Sequence, residues 1–131
     1  MGSLSQARQD IKESLEEIGI KAVAYDLTEN LIPPVALVVP DENYINLPAV
    51  SQRMNQWNVG ISILLIASRG TDKRNADELD DLIENTILML NDKKGIDIES
   101  VSSPGQLQLK KNDYFGSIVS VHYQIKLDGT V

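Results

Sequence analysis

The chain carries one histidine, His122, and no cysteine. Those two counts remove much side-chain chemistry at once. A histidine cluster for a transition metal is excluded, and so are disulfides, thiolate ligands and cysteine nucleophiles. A Ser-His-Asp arrangement would have to use His122, which falls on the polar side of an alternating stretch. No Gly-x-Ser-x-Gly elbow is present to expose a nucleophilic serine. Glycine loops that cradle phosphates, Gly-x-Gly-x-x-Gly and the Walker pattern, are absent as well. The stretch "NDKKGIDIE", residues 91–99, sets acids around a glycine, yet Lys93 and Lys94 fall among the would-be calcium ligands. No catalytic residue, cofactor or metal site is expected.

What remains is charge. Asp77, Glu78, Asp80, Asp81 and Glu84 crowd one short segment. Their simplest role is a solvated helix face whose early acids meet the helix dipole favourably. A weak divalent-cation site and a protein-binding face are the alternatives. From Arg53 to Arg74 the chain holds Arg53, Arg69, Lys73 and Arg74 against the single acid Asp72, whereas residues 76–91 hold acids and no base. A basic edge beside an acidic helix suits head-to-tail stacking of identical copies, and such contacts close into rings when the rotation allows. Plain capping electrostatics accounts for the same pattern without any partner.

The elements that must position these charges follow from the periodicity. With 131 residues, 42% of them hydrophobic and 24% charged, the chain fits a single globular domain spanning 1–131, with residues 1–3 expected to be a disordered end or a cloning remnant. No apolar run reaches the roughly 20 residues of a membrane span, and no signal peptide is visible. The net charge of −7 opposes binding to a nucleic-acid backbone as a main function.

Leu4, Ala7, Ile11, Leu15 and Ile18 recur at helical spacing over residues 4–18, with Gly19 as the stop. Lys21 to Thr28 suggests a short strand, and Pro33 and Pro34 break the pattern. "VALVV", residues 35–39, is apolar on both faces, as a doubly covered strand requires. An irregular loop is expected over residues 41–56. Trp57 to Ser68 sets Val59, Ile61, Ile63, Leu65 and Ala67 on one face and Gly60, Ser62, Leu64, Ile66 and Ser68 on the other, and predicts a long strand. A helix then runs from a capping Asn75, with Glu78 completing the box, through Leu79, Leu82, Ile83, Ile87 and Leu90 to Gly95. Ile96 to Ser103 and Gln106 to Lys111 suggest two short strands broken at Pro104-Gly105. Asn112-Asp113 suggests a turn into a last strand, Tyr114 to Leu127, with one apolar and one mostly polar face. The order α-β-β-β-α-β-β-β predicts an α+β fold: an antiparallel or mixed sheet of about four to six strands with two helices packed on one face.

Taken together, the N-terminal helix, "LIPPVALVVPDENYI", "WNVGISILLIASRGTDKRNADELDDLIENTILML" and "YFGSIVSVHYQIKL" resemble the tail terminator, or tail completion, proteins of long-tailed, non-contractile bacteriophages. The resemblance is one of architecture over residues 4–127 and contains no catalytic signature. It implies a virion structural protein, synthesised in the host cytoplasm, that forms a ring, typically a hexamer, at the head-proximal end of the tail tube. Such a ring stops tube polymerisation and presents a docking surface to the head connector or stopper. Its partners would be itself, the tail tube protein and that connector, and neither a membrane nor a specific nucleic-acid site. An acidic ring still admits passage of DNA.

On that resemblance the 41–56 loop is expected to be a contact arm anchored by Tyr44, Leu47, Val50, Met54 and Trp57, side-chain types favoured at interface cores. Arg69, Lys73 and Arg74 are expected to face Asp77, Asp80, Asp81 and Glu84 of the adjacent subunit. A head–tail joining or neck protein of the same machine is the nearest alternative. A ferredoxin-like small-molecule-binding domain is the alternative of another class, and it needs a pocket with convergent polar groups. The missing constellations argue against an enzyme.

Overall fold

The long apolar stretch from Ile61 to Ile66 becomes the centre of a sheet. The computed structural model describes residues 3–24, 34–46, 56–67, 73–93, 95–109 and 112–126. Its elements are helix α1 (Ser3–Glu17), strands β1 (Ala22–Ala24), β2 (Val35–Asn46) and β3 (Gln56–Ile66), helix α2 (Lys73–Asn91), and strands β4 (Ile96–Val101), β5 (Gly105–Leu109) and β6 (Asn112–Lys126). The strands make one six-stranded mixed sheet in the order β1-β2-β3-β6-β4, with β5 also on β6. β1 runs parallel to β2 and every other pairing is antiparallel. Two helices with one mixed sheet give the α+β class expected from the runs of strands.

β3 and β6 pair without interruption from Gln56↔Lys126 to Ile66↔Gly116. Alternate residues of these strands therefore point to opposite faces. Val59, Ile61, Ile63 and Leu65 of β3 join Val119 and Val121 of β6 and Ala36 and Val38 of β2 on one face. Both helices cover that face, α1 through Ala7, Ile11 and Leu15 and α2 through Leu79 and Leu90. Burying one such Leu or Ile side chain contributes about 1.5–3 kcal/mol, so this face carries most of the driving force. A smaller cluster of Val35, Leu37, Ile66 and Tyr114 lies on the other face. β2 is thus apolar on both sides because both sides are buried.

Glycine ends α1 as its position suggests. Gly19 adopts φ +85°, its N–H donates to the Glu16 carbonyl, and the next N–H, of Ile20, donates to the Leu15 carbonyl. This is the paired closure of a Schellman cap, and it turns Ile20 into the core.

Four sequence expectations shift. Ser3, expected to lie in a loose end, is the first residue of α1. α2 starts at Lys73, so Asn75 lies buried inside its first turn rather than flanking it. The cap-type residues Thr71 and Asp72 precede this start in the sequence. The expected loop over 41–56 is also shorter: β2 continues to Asn46 and pairs again with β3 at Ile45↔Val59 and Asn46↔Asn58. A bulge between Pro40 and Ile45 takes up the polar Asp41-Glu42-Asn43 run, and the Asp41 carboxylate accepts from Ser62 Oγ at 3.2 Å. Pro40 has no N–H to give a ladder, so a bulge begins there naturally. Finally, the chain reverses between Leu109 and Asn112, not at Asn112-Asp113. The cross-strand pair Leu107↔Tyr114 and its neighbours set that register.

β4 and β5 share the outer edge of β6, since Gly116 pairs with Ile66 on one side and Gly105 on the other. The break between them is tied down by serines. Buried Ser117 Oγ donates to the Ser102 carbonyl at 2.6 Å, and Ser102 Oγ accepts from the Ile118 N–H at 2.8 Å.

Two substitutions test this packing. A methyl group at Gly116 would press on the Leu65 carbonyl oxygen and come within 2.8 Å of Leu107 Cδ1. Gly116→Ala should therefore destabilise by roughly 2 kcal/mol or more, read from the denaturant midpoint. Thr86 is fully buried in α2 and its hydroxyl has no hydrogen-bond partner among the described residues. Thr86→Val keeps the shape and removes the unsatisfied group, so it should leave stability unchanged or raise it by about 1 kcal/mol in the same assay.

Candidate functional site

Helix α2 presents two different sides. Asn75, Leu79, Thr86 and Leu90 are buried against the sheet. Asp77, Asp80, Asp81 and Glu84 are exposed on the outside, with Lys73 and Arg74 exposed at the start. Leu88 continues the outer stripe at 59% exposure, four residues beyond Glu84 and so on the same side. Lys73 Nζ reaches Asp77 Oδ2 at 3.5 Å, but the two side chains are 91% and 63% exposed. A pair that open contributes little. Among the described residues Arg74, Asp80, Asp81 and Glu84 make no ion pair.

The other residues expected at an interface divide. Tyr44 belongs to the outer half of β2. Trp57 sits in β3 opposite Ile125, half-buried, and so is part of the sheet rather than of an arm. Leu47, Val50, Met54, Arg53 and Arg69 lie outside the described residues.

A cleft of about 240 Å³ opens where α1 passes the end of α2. Asp10, Glu13 and Glu17 form its α1 wall and Lys93 stands on the α2 side. Its floor is apolar, made by Ile11, Met89 and the cross-strand pair Ile96↔Tyr123. Three carboxylates share this side because residues 10, 13 and 17 step by three and four along α1. Gln6 donates to Asp10 at 2.7 Å and Gln9 to Glu13 at 3.2 Å. Glu17 and Lys93 make no ion pair among the described residues. Burial raises the Tyr123 phenol above its ordinary value, and the nearby Asp10 carboxylate raises it further. In both effects the phenolate is the disfavoured form.

The cleft was not foreseen from the sequence. The sequence singles out neither the acids of α1 nor Tyr123. The available signal was a tyrosine following Val119 and Val121 on the apolar face of the last strand, since a part-buried Tyr keeps a polar end in search of a partner.

On the opposite face of the sheet, His122 Nε2 lies 3.1 Å from Glu99 Oε2. Asp97 is its cross-strand neighbour. Among the described residues no group of three or more His, Asp or Glu side chains is placed to hold a metal ion. No helix of the described residues is long and apolar enough to cross a membrane. No protein-family model matches the chain, and no curated protein is significantly similar to it.

The Tyr123 environment predicts an alkaline titration. A raised folded-state value means the stability it contributes is complete below the unfolded phenol value and fades as pH climbs through the folded one. Ultraviolet titration of the native protein should include a late phenol component from Tyr123. Tyr123→Phe should remove that component, and Asp10→Asn should move it part of the way back.

Proposed function

We propose that this protein is a ring-forming structural adaptor of the tail terminator kind. It would sit at the head-proximal end of a long, non-contractile phage tail, stop tube polymerisation and offer the head connector its docking surface. The α+β architecture is the one that the resemblance over residues 4–127 implies. The observation that carries the assembly reading is the outer side of α2. It bears exposed cations at its start, an exposed run of carboxylates after them, and a bare leucine beyond. Such a surface does little for the monomer, because its charges are open to water and Leu88 is left uncovered. It suits head-to-tail contact between identical subunits.

The cleft lends less support to a small-molecule-binding domain. Its volume of about 240 Å³ falls below the roughly 300–1,000 Å³ typical of ligand pockets.

Native mass spectrometry across a concentration series, with and without the cognate tail tube protein, tests the assembly. A discrete closed oligomer is expected, a hexamer above all, and a monomer under both conditions would refute the ring. Tail lengths in a phage lacking the gene test the role. Overlong tails are expected, whereas tails of normal length detached from heads would mark a joining protein instead.

A further inference from the structure

We propose that the cleft between α1 and the end of α2 receives the Arg74 side chain of a second copy of this chain. The inference rests on the self-assembly reading above and assigns its contact.

The cleft has the chemistry of an arginine receptor. Met89 and Tyr123, both half-buried at the cleft, offer apolar atoms for the methylene stem and an aromatic ring for a guanidinium. Asp10, Glu13 and Glu17 at the rim offer carboxylates to its fork of N–H donors. Three carboxylates face the single ammonium of Lys93, so the cleft as a whole favours a cation. Its volume of about 240 Å³ suits one long side chain better than a drug-sized ligand.

Arg74 has the matching properties. It is exposed on the first turn of α2 and makes no ion pair among the described residues, whereas its neighbour Lys73 leans on Asp77. It cannot fill its own cleft. Arg74 and Met89 lie on the same helix, and at 1.5 Å per residue their backbones are about 22 Å apart along its axis. Donor and receptor therefore occupy opposite ends of α2. Among the described residues Arg74 and Glu17 make no ion pair within one copy, and a head-to-tail contact can join them. The exposed carboxylates Asp77, Asp80, Asp81 and Glu84 of α2 do not line this cleft, so they lack its apolar neighbours for the arginine stem.

Charge reversal tests the pairing without threatening the fold. Arg74→Glu places an acid in the first turn of α2, and Glu17→Lys places a base in the last turn of α1. Each agrees with its helix dipole. Sedimentation velocity across a concentration series should show each single variant assembling about tenfold or more weakly than wild type. The double variant R74E/E17K carries the swapped pair in every interface and should recover most of the loss. Lys93→Gln should strengthen assembly of the otherwise native chain. Singles that assemble like wild type, or a double variant no better than either single, would overturn the Arg74 contact while leaving the ring intact. A wild type that stays monomeric even with its tube protein would remove the ring and this contact together.

Discussion

Everything else in the fold is referenced to the ladder between β3 and β6. It runs without a bulge over the whole of β3, and each strand has a further neighbour on its other side. β3 carries β2 and, through it, β1, while β6 carries β4 and β5. The ladder therefore sets which residues of the neighbouring strands face the helices. A slip of one residue would carry Ile61, Ile63 and Leu65 from the helix-covered face to the other. At Gly116 the two strands approach closely enough that no side chain fits. The register is held at that point by backbone contact as well as by the apolar pattern.

Among the described residues α1 and α2 both lie on one face of this sheet. Each helix then has only one side to bury, and its other side must be solvated or meet a partner. α1 resolves this with local pairs, Gln6 to Asp10, Gln9 to Glu13 and Lys12 to Glu16. On α2 the Lys73–Asp77 pair is loose and open to water, and Asn75 and Glu78 have partners of their own.

Much of this architecture is legible in the sequence, for physical reasons that can be named. Every odd position from Val59 to Ala67 is apolar, so its strand and its helix-covered face follow from a period of two. Gly19 marks a helix end because an αL residue there closes two carbonyls, and the cap forms as that rule requires. Val35 to Val38 is apolar at every position, and the strand is buried on both sides. The misses are equally specific. The bulge after Pro40 breaks the period of two, so Asp41 to Asn46 reads as loop although it is strand. Asn112-Asp113 has turn chemistry, yet cross-strand pairing of Leu107 with Tyr114 outweighs local preference. The cleft was illegible because its walls come from α1, α2, β4 and β6, and no local pattern states that those segments meet.

The same geometry explains why charge belongs at the ends of α2 rather than along its buried side. Leu79 and Leu90 are fully enclosed between helix and sheet, so an ionised group there would lack both water and a partner. The exposed side tolerates any number of carboxylates, but at low energetic value each. Where α2 runs past α1 the surface folds inward, bringing hydrophobic side chains and carboxylates together around Tyr123. Tyr123 is half-buried there, and burial together with the nearby Asp10 carboxylate raises its phenol. A contact made in the cleft combines charge with a shaped surface, and so carries more specificity than one made on the open helix.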